Sequence, residues 1–416
     1  MKYTDNIKPT PNPSREGSLR GMKYFLRLVP LLFIIGCADQ AVPPEVQKGI
    51  DSISVKWVPD KREAIADVTL IIDSAGLFVL NGETDLPGLK NEISEYLENQ
   101  NIEYTDNLIV LPDPLKITKP WGLITISVAN LKREPSFSSE MVSQVIMGTP
   151  LKILKQKGSW SLVQTPDYYI GWIIESSIRE LDEAEFESWR NSSRNIFIGR
   201  SGDIFSDKSS NEVVSDIVNG VIVVDSGGGR EGIARVALPD GRRGWIAKDV
   251  VMDFDKWCSA VEPDPQKMIT FARSLVGYPY LWGGTSTKAI DCSGFTRTIY
   301  FTGGIILARD ASQQFLHGIN VDISSSIEAL QPGDLVFIGY VNKAGIERIT
   351  HTGMYIGNTE VIHSSGMVRI NSLDSTRSNY SSYLGKGLRG ARRIIGTESA
   401  RGTEKIALHK WYRGQK

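Results

Sequence analysis

The sequence predicts a multidomain α+β protein in which a small N-terminal α/β region and two small β-barrels precede a larger C-terminal α+β domain. The chain has 416 residues, which is enough for about two to four domains. Two units of short β-rich runs, each of about sixty residues, repeat in its middle part. Towards the C-terminus, a helical pattern that begins at a cysteine is followed by two β-rich runs that carry histidines. Together these observations predict β-rich modules in front of one mixed domain.

The composition argues against a nucleic-acid partner, a disulfide framework and a zinc site. The 47 basic and 48 acidic residues nearly cancel, which does not favour a nucleic-acid partner. Three cysteines are too few and too scattered for a disulfide framework or a zinc site. We therefore expect no metal, no organic cofactor and no nucleic acid.

Residues 1–37 have the pattern of an upstream segment followed by an export signal. Met22 to Arg27 is basic, and the apolar run from Leu28 to Ile35 is too short to cross a membrane in the mature protein. Met22 is therefore the expected start. The run ends in Ile34-Ile35-Gly36-Cys37, which resembles the lipobox of bacterial lipoproteins and implies that Cys37 is lipidated. The alternative is a buried apolar helix with a chance cysteine.

Residues 38–118 are predicted to form a small α/β domain. Strands are expected at Val68 to Ile72, Leu77 to Leu80 and Leu108 to Leu111, with a helix at about Gly88 to Asn99. No nucleophile, base and acid gather in this region. A structural or docking role is the default expectation.

An internal repeat covers the middle of the chain, in residues 119–182 and 183–255. Each copy has a run that ends in glycine, then strands, then a Gly-Trp pair, with similar spacing; these segments are Val142 to Gly148 and Tyr169 to Ile173, then Val214 to Gly220 and Arg243 to Ile246. Short β-runs broken by Gly, Pro and Asp turns are typical of a small barrel. Both copies resemble bacterial SH3 domains, and the second, with its Gly227-Gly-Gly229 insertion, fits less well.

The stretch from Asp291 to Phe295 combines reactive chemistry with a favourable local geometry. A loop of aromatics and glycines, Tyr278 to Gly284, precedes it, and a proline-free run from Ser293 to Tyr300 predicts a helix. Cys292 then lies at the first turn of that helix. Backbone N–H groups at a helix start favour a thiolate, which is the nucleophilic form of cysteine.

Two of the four histidines are placed to act as the base. His351 and His363 lie on β-rich runs joined by Asn358-Thr359-Glu360, which predicts a hairpin. Adjacent strands bring the two imidazoles close, so that one accepts the thiol proton and the other orients it. The alternative is that each histidine is an ordinary half-buried strand residue.

Five motifs in order resemble the NlpC family of papain-like bacterial cell-wall cysteine peptidases. The resemblance covers residues 263–395. The motifs are Tyr280-Leu-Trp282-Gly-Gly284, Asp291-Cys292-Ser293-Gly294-Phe295, Leu330-Gln-Pro-Gly-Asp334-Leu-Val-Phe337, His351-Thr-Gly-Met-Tyr-Ile-Gly357 and Val361-Ile-His363-Ser-Ser-Gly366. The resemblance implies that Cys292 is the nucleophile, His351 the general base and His363 the orienting group. It implies cleavage of peptidoglycan stem peptides, most often after D-γ-glutamate.

The two-barrel architecture implies how the substrate is selected. In proteins of this kind the first barrel closes one end of the substrate groove, which implies a preference for peptides with a free N-terminal L-alanine. A buried ammonium needs a carboxylate acceptor. We expect Glu140 to supply it, with Tyr169 as a hydrogen-bonding neighbour. The alternative is that Glu140 is a solvated loop charge and Tyr169 a surface aromatic.

Further substrate contacts are expected inside the C-terminal domain. Asp310 suits an amine and Arg309 a carboxylate, or the two pair with each other and cap the helix that follows. Asp291 caps the nucleophile helix or shapes the substrate site, and Ser293 contacts the substrate. Tyr280 and Trp282 are expected to form cleft walls. The oxyanion donors are expected to be the backbone N–H of Cys292 and the Tyr280 hydroxyl.

Two features are expected to stay outside the chemistry. Cys258 has no histidine partner in its sequence context and is interpreted as a packed small residue or an exposed thiol. The segment 396–416, which contains His409, is polar and mildly basic and is interpreted as a flexible tail.

The resemblance as a whole implies an exported, lipid-anchored monomer in the bacterial cell envelope. Its partners are L-Ala-γ-D-Glu-diamino-acid stem peptides and, through the anchor, a membrane. Its role is cell-wall turnover or recycling. Two alternatives stay open. One is an N-acetylmuramoyl-L-alanine amidase or an acyltransferase on the same fold, and the other is a non-catalytic wall-binding lipoprotein.

Overall fold

The computed structural model describes residues 41–207, 212–230, 232–397 and 401–414. The described residues from 42 onwards belong to one compact unit. Within it the predicted order of a small α/β region, two barrels and a papain-like α+β domain is confirmed. The predicted export signal, the start at Met22 and the lipidated Cys37 lie outside the described residues.

The N-terminal domain is a three-stranded sheet packed under two helices. The elements are α1 (Pro44–Trp57), β1 (Ala66–Ile72), β2 (Phe78–Thr84), α2 (Pro87–Asn99) and β3 (Tyr104–Val110). Strands β1 and β2 are antiparallel, and β2 and β3 are parallel. The sequence prediction missed α1, which buries Ile50 against the apolar face of α2 that carries Leu89, Ile93 and Leu97.

Each barrel is a seven-stranded sheet. The first contains β4 (Trp121–Ile124), β5 (Val128–Lys132), β6 (Met141–Ile146), β7 (Pro150–Lys157), β8 (Trp160–Gln164), β9 (Ile170–Ile174) and β10 (Ile178–Leu181). Helix α3 (Glu183–Asn191) leads to the second, which contains β11 (Arg194–Phe197), β12 (Ser201–Phe205), β13 (Val213–Val218), β14 (Ile222–Asp225), β15 (Ile233–Ala237), β16 (Arg243–Ala247) and β17 (Val251–Asp253). The strand order is β10-β4-β7-β8-β9-β5-β6 in the first barrel and β13-β12-β16-β15-β14-β11-β17 in the second.

The glycine that marks the repeat has the same backbone role in both copies. Gly148 follows β6 with φ of 78°, and Gly220 follows β13 with φ of 85°. Side chains with a Cβ rarely adopt this left-handed conformation, so a turn of this geometry favours glycine. The repeated glycine thus reflects one turn built twice.

The C-terminal domain sets one helix against a six-stranded antiparallel sheet. Its helices are α4 (Phe254–Ala260), which links it to the second barrel, α5 (Pro265–Ser274), α6 (Cys292–Thr302), α7 (Ala311–Gln314) and α8 (Ser382–Gly387). Its strands are β18 (Thr285–Ser286), β19 (Ala289–Ile290), β20 (Ile305–Leu307), β21 (Ile319–Val321), β22 (Leu335–Val341), β23 (Glu347–Gly357), β24 (Glu360–Ser365), β25 (Met367–Ser372), β26 (Leu388–Arg393) and β27 (Thr403–Lys405). The strand order of the sheet is β21-β26-β22-β23-β24-β25. Helix α6 packs Phe295 and Ile299 on the sheet core at Phe337 and Met354. This packing fixes the start of α6 beside β23.

The described part of the C-terminal segment is not a flexible tail, so that interpretation is wrong for residues 401–414. Strand β27 pairs with β20, and His409, Trp411 and Tyr412 are buried. Trp411 packs edge-on against Trp121 of the first barrel at 5.3 Å between ring centroids. The segment is polar on average, but a few of its aromatic residues are buried. The free energy gained by burying them outweighs the conformational entropy lost when the segment becomes ordered.

No helix in the described ranges is long and apolar enough to cross a membrane.

Candidate active site

Cys292 is the first residue of helix α6, and Asp291 is the N-cap, as one of the sequence interpretations held. The Asp291 carboxylate accepts hydrogen bonds from the backbone N–H of Gly294 at 2.7 Å and of Gly283 at 2.9 Å. A Cβ at Gly294 would lie 2.1 Å from the carbonyl oxygen of Gly284. The helix start is therefore pressed against the preceding loop, and the glycines make that approach possible.

A buried guanidinium holds this helix start in place. Arg309 is 1% exposed, and its Nη2 lies 2.6 Å from Asp291 Oδ2. Its Nη1 donates to Ser293 Oγ at 2.9 Å, and its Nε donates to Ser143 Oγ of the first barrel at 2.9 Å. Asp310, by contrast, lies 3.9 Å away, so the main ion pair of Arg309 is with Asp291. Because these protein groups engage the guanidinium, its bond to a substrate carboxylate stays a prediction.

His351 and His363 form a hydrogen-bonded pair on the hairpin of β23 and β24, as predicted. Nε2 of His351 and Nδ1 of His363 are 2.8 Å apart, and the rings are nearly perpendicular. Both side chains are buried. The two imidazoles are therefore fixed relative to one another.

Asn371 on β25 extends this pair, and sequence reasoning missed it. Nε2 of His363 lies 3.1 Å from Asn371 Oδ1, while Asn371 Nδ2 donates to the carbonyl of Asn379 at 3.0 Å. The second bond identifies Oδ1 as the acceptor, so His363 carries its proton on Nε2 and accepts through Nδ1. His351 then donates through Nε2, which leaves its Nδ1 as the basic atom.

A pattern in the sequence could have identified Asn371. Strand β25 pairs with β24 so that Arg369 stands opposite His363, and Asn371 is two residues further along. Side chains two apart in a strand share a face, and a diagonal neighbour is within reach of an imidazole.

Burial favours the neutral forms of the Cys292 thiol and the His351 imidazole, and for the thiol it opposes the effect expected of the helix start. Burial, followed by the nearby Asp291 carboxylate, raises the pKa of Cys292 to about 11. The N–H groups of Thr352 and Ser293 and the charge of Arg309 oppose this increase without reversing it. Burial, followed by His363, lowers the pKa of His351 to about 3. The loss of water around the thiol therefore outweighs the helix N-terminus.

A cleft of about 800 Å³ opens above Cys292. The predicted substrate contacts all line it; they are Glu140, Tyr169, Tyr280, Trp282, Asp291, Ser293, Arg309 and Asp310. Arg133 of the first barrel and Lys61 and Arg62 of the N-terminal domain line it too, and sequence reasoning did not identify them. Three domains thus contribute to one cleft.

Glu140 and Tyr169 both face this cleft, and each has its own partner, so their joint recognition of an amine stays a prediction. Glu140 pairs with Arg133 at 2.8 Å and accepts a bond from Trp282 Nε1 at 2.9 Å. The Tyr169 hydroxyl donates instead to Asp310 Oδ2 at 3.3 Å. Tyr169 is also buried, so it is not a surface aromatic.

Two tyrosines lie near Cys292 and His351. Tyr280 lines the cleft, and burial, followed by Cys292, raises the pKa of its hydroxyl. Tyr383 on α8, which sequence reasoning missed, lies edge-on to His351 with ring centroids 5.6 Å apart. The oxyanion role of Tyr280 stays a prediction.

Cys258 is buried in α4, which agrees with a packed small residue rather than an exposed thiol. No group of three or more His, Cys, Asp or Glu side chains in the described ranges is arranged to hold a metal ion.

The neutral resting pair predicts the pH dependence of thiol alkylation. Because only the thiolate reacts quickly with iodoacetamide, labelling of Cys292 is expected to stay slow at pH 6 to 8 and to rise towards a pKa of about 11. Peptide mass spectrometry measures its rate, with the buried Cys258, whose pKa burial raises to about 12, as the internal comparison. A fast plateau of Cys292 labelling near pH 6 would instead indicate a resting thiolate–imidazolium pair.

Two segments of the chain match known families. Residues 277–393 match the NlpC/P60 family, and residues 131–178 match the bacterial dipeptidyl-peptidase Sh3 domain.

Two curated relatives are similar to parts of this chain. A gamma-D-glutamyl-L-lysine dipeptidyl-peptidase from Bacillus cereus is 35% identical over 39% of this chain and 46% of its own length. Dipeptidyl-peptidase 6 from Lysinibacillus sphaericus is 26% identical over 62% of this chain and 94% of its own length. The chain thus spans about half the length of the first relative and nearly all of the second.

A solved structure shows the same fold. The crystal structure of an NlpC/P60 family protein from Bacillus cereus superposes with a TM-score of 0.57 and 24% identity, over 66% of this chain and 99% of that one. The C-terminal domain of this chain is therefore an NlpC/P60 domain, and its first barrel is a bacterial dipeptidyl-peptidase SH3 domain.

Proposed function

We propose that this protein is a cysteine peptidase that hydrolyses peptidoglycan stem peptides, cutting the amide bond between D-γ-glutamate and the diamino acid. The observation that supports this most is the hydrogen-bonded chain from Asn371 through His363 to His351, which leaves a basic nitrogen on the strand that contacts Cys292. The thiol lies against the backbone N–H of Thr352, next to His351. Cys292 lines the cleft, His351 on β23 is the proposed base, and His363 is the proposed orienting group.

The chemistry follows from the neutral resting pair. As the sulfur attacks the amide carbonyl carbon, His351 Nδ1 takes the thiol proton, and the imidazolium then gives it to the leaving amine. The products of this step are a thioester on Cys292 and the free diamino acid. Water, deprotonated by the same nitrogen, hydrolyses the thioester and restores the thiol. The backbone N–H of Cys292 and the Tyr280 hydroxyl are the proposed oxyanion donors.

The expected substrate has a free N-terminal L-alanine. The names of both relatives describe enzymes that remove dipeptides, and such an enzyme has to recognise an amine two residues before the cleaved bond. Glu140 and Asp310 offer carboxylates in the cleft, with the Tyr169 hydroxyl beside Asp310. Each carboxylate already has an arginine partner, so the substrate ammonium is expected to share it.

The proposed location is the cell envelope. A lipid on Cys37 would anchor the enzyme, as a monomer, where peptidoglycan is accessible and where stem peptides are turned over or recycled. The lipobox-like residues before Cys37 support this proposal.

Mass spectrometry of L-Ala-γ-D-Glu-L-Lys, and of its meso-diaminopimelate analogue, tests the reaction. We expect release of L-Ala-γ-D-Glu, and a loss of more than about 10⁴-fold in the Cys292→Ala variant. An N-acetylated peptide is expected to react poorly, because its amine has lost its charge. The matched Cys258→Ala variant should retain activity. Cleavage that tolerates acetylation would contradict amine recognition, and cleavage of no stem peptide would contradict the peptidase.

The role of Asn371 is tested by two substitutions. Asn371→Leu removes the acceptor that fixes the His363 tautomer, so kcat is expected to fall roughly tenfold with KM little changed. Asn371→Asp keeps an acceptor oxygen and should retain most of the activity. Steady-state kinetics on the same tripeptide measures both. Equal losses in the two variants would show that Asn371 does not act through its acceptor oxygen.

A further inference from the structure

The N-terminal domain is fixed to the first barrel by an apolar interface. Ile65, Ile109 and Leu111 of that domain and its connecting segment pack against barrel residues that include Leu154 and Trp160. The backbone N–H of Ile170 also donates to the carbonyl of Arg62 at 2.7 Å. The segment that contains Arg62 is therefore held at a constant position relative to the barrel wall of the cleft.

Arg62 extends this attachment to the C-terminal domain. Its Nη1 lies 2.6 Å from Asp310 Oδ2, and its Nη2 lies 2.6 Å from Asp60 Oδ2. The side-chain amide of Gln313 on α7 donates to Asp60 at 3.1 Å and to Glu63 at 2.8 Å. The segment 60–63 thus bridges the barrel and the C-terminal domain at the edge of the cleft.

Lys61 is a basic residue of the cleft that forms no ion pair with another described residue. Among the described residues that line it, each carboxylate has an arginine within 2.8 Å; the pairs are Asp291–Arg309, Asp310–Arg62 and Glu140–Arg133. Lys61 also lines the cleft, is exposed, and forms no ion pair or hydrogen bond through its side chain with another described residue.

The acids next to Lys61 in sequence are also engaged. Asp60 is bound by Arg62 and Gln313, and Glu63 is bound by Gln313 and by Arg401 at 3.0 Å. The ammonium of Lys61 is therefore available to a ligand in the cleft.

We infer that Lys61 is a specificity-determining residue that binds a carboxylate of the substrate, and that the N-terminal domain is thereby part of the substrate site. This inference rests on the proposed function. Stem peptides carry such groups, because a γ-linked D-glutamate keeps its α-carboxylate and the diamino acid has one of its own. An ammonium forms a charge-assisted hydrogen bond with a carboxylate. An amide in the same place carries no charge and loses most of that energy.

Selective amidation of the peptide tests the inference. Three substrates are compared: L-Ala-γ-D-Glu-L-Lys, the same peptide with the α-carboxylate of D-glutamate as an amide, and the same peptide with the lysine carboxylate as an amide. With the wild-type protein, one of the two amidated peptides is expected to have a kcat/KM roughly tenfold lower than the unmodified peptide. The position of the amide in that peptide identifies the carboxylate that Lys61 binds. In Lys61→Gln the ratio of kcat/KM for the unmodified peptide to kcat/KM for that amidated peptide should fall to about one. Lys61→Arg should restore part of this ratio.

Lys48→Gln is the matched control, because Lys48 is an exposed lysine of the same domain that does not line the cleft. It should keep the wild-type ratio. Full discrimination in Lys61→Gln, equal losses on all three peptides, or no discrimination by the wild-type protein would each overturn the inference.

Binding separates this inference from the peptidase proposal. Calorimetry with Cys292→Ala measures the affinity of the same three peptides without turnover, and adding Lys61→Gln to that variant should remove the preference for the carboxylate. If the wild-type protein cleaves none of the peptides but this preference is present and depends on Lys61, the inference stands and the peptidase proposal fails. If the peptides are cleaved without that preference, the inference alone fails.

Discussion

The buried ion pair between Arg309 and Asp291 is the interaction on which the rest of the site depends. One guanidinium binds Asp291 at the N-cap of α6, the Ser293 hydroxyl beside Cys292, and Ser143 of the first barrel. Removing one partner of a buried ion pair costs about 3–5 kcal/mol. Both partners of this pair belong to the C-terminal domain, and the bond to Ser143 connects them to the barrel. The position of Cys292 is thus linked to the barrel wall of the cleft through Arg309.

Burial also determines the electrostatic state of Cys292 and His351. It raises the pKa of the thiol and lowers that of His351, so neither group is charged at neutral pH. A neutral pair needs its proton-accepting nitrogen to be specified in advance, because nothing else selects the tautomer. The bonds from His351 to His363 and from His363 to Asn371 supply that specification. These two hydrogen bonds therefore leave Nδ1 of His351 as the nitrogen that can accept the thiol proton.

Local chemistry explains which parts of the site were predictable from the sequence. Cys292 and the two histidines stand in short motifs whose helix start and hairpin follow from neighbouring residues, and the structure has both. The contacts that were missed join distant parts of the chain. Arg62 and Asp310 are 248 residues apart, and the packing of Trp411 on Trp121 depends on a tail whose average composition is polar. Backbone N–H groups lower the pKa of the Cys292 thiol, as the predicted helix start implies, but a sequence pattern does not show the loss of water that raises this pKa further.

A crystal structure of the Cys292→Ala variant with bound L-Ala-γ-D-Glu-L-Lys tests most directly the claim that three domains form one substrate site. We expect the ammonium within hydrogen-bond distance of Glu140 or Asp310 and the γ-carbonyl oxygen at the backbone N–H of residue 292. We also expect one carboxylate at Lys61. A peptide bound in the opposite direction, with its N-terminus away from the barrel and the N-terminal domain, would contradict the account.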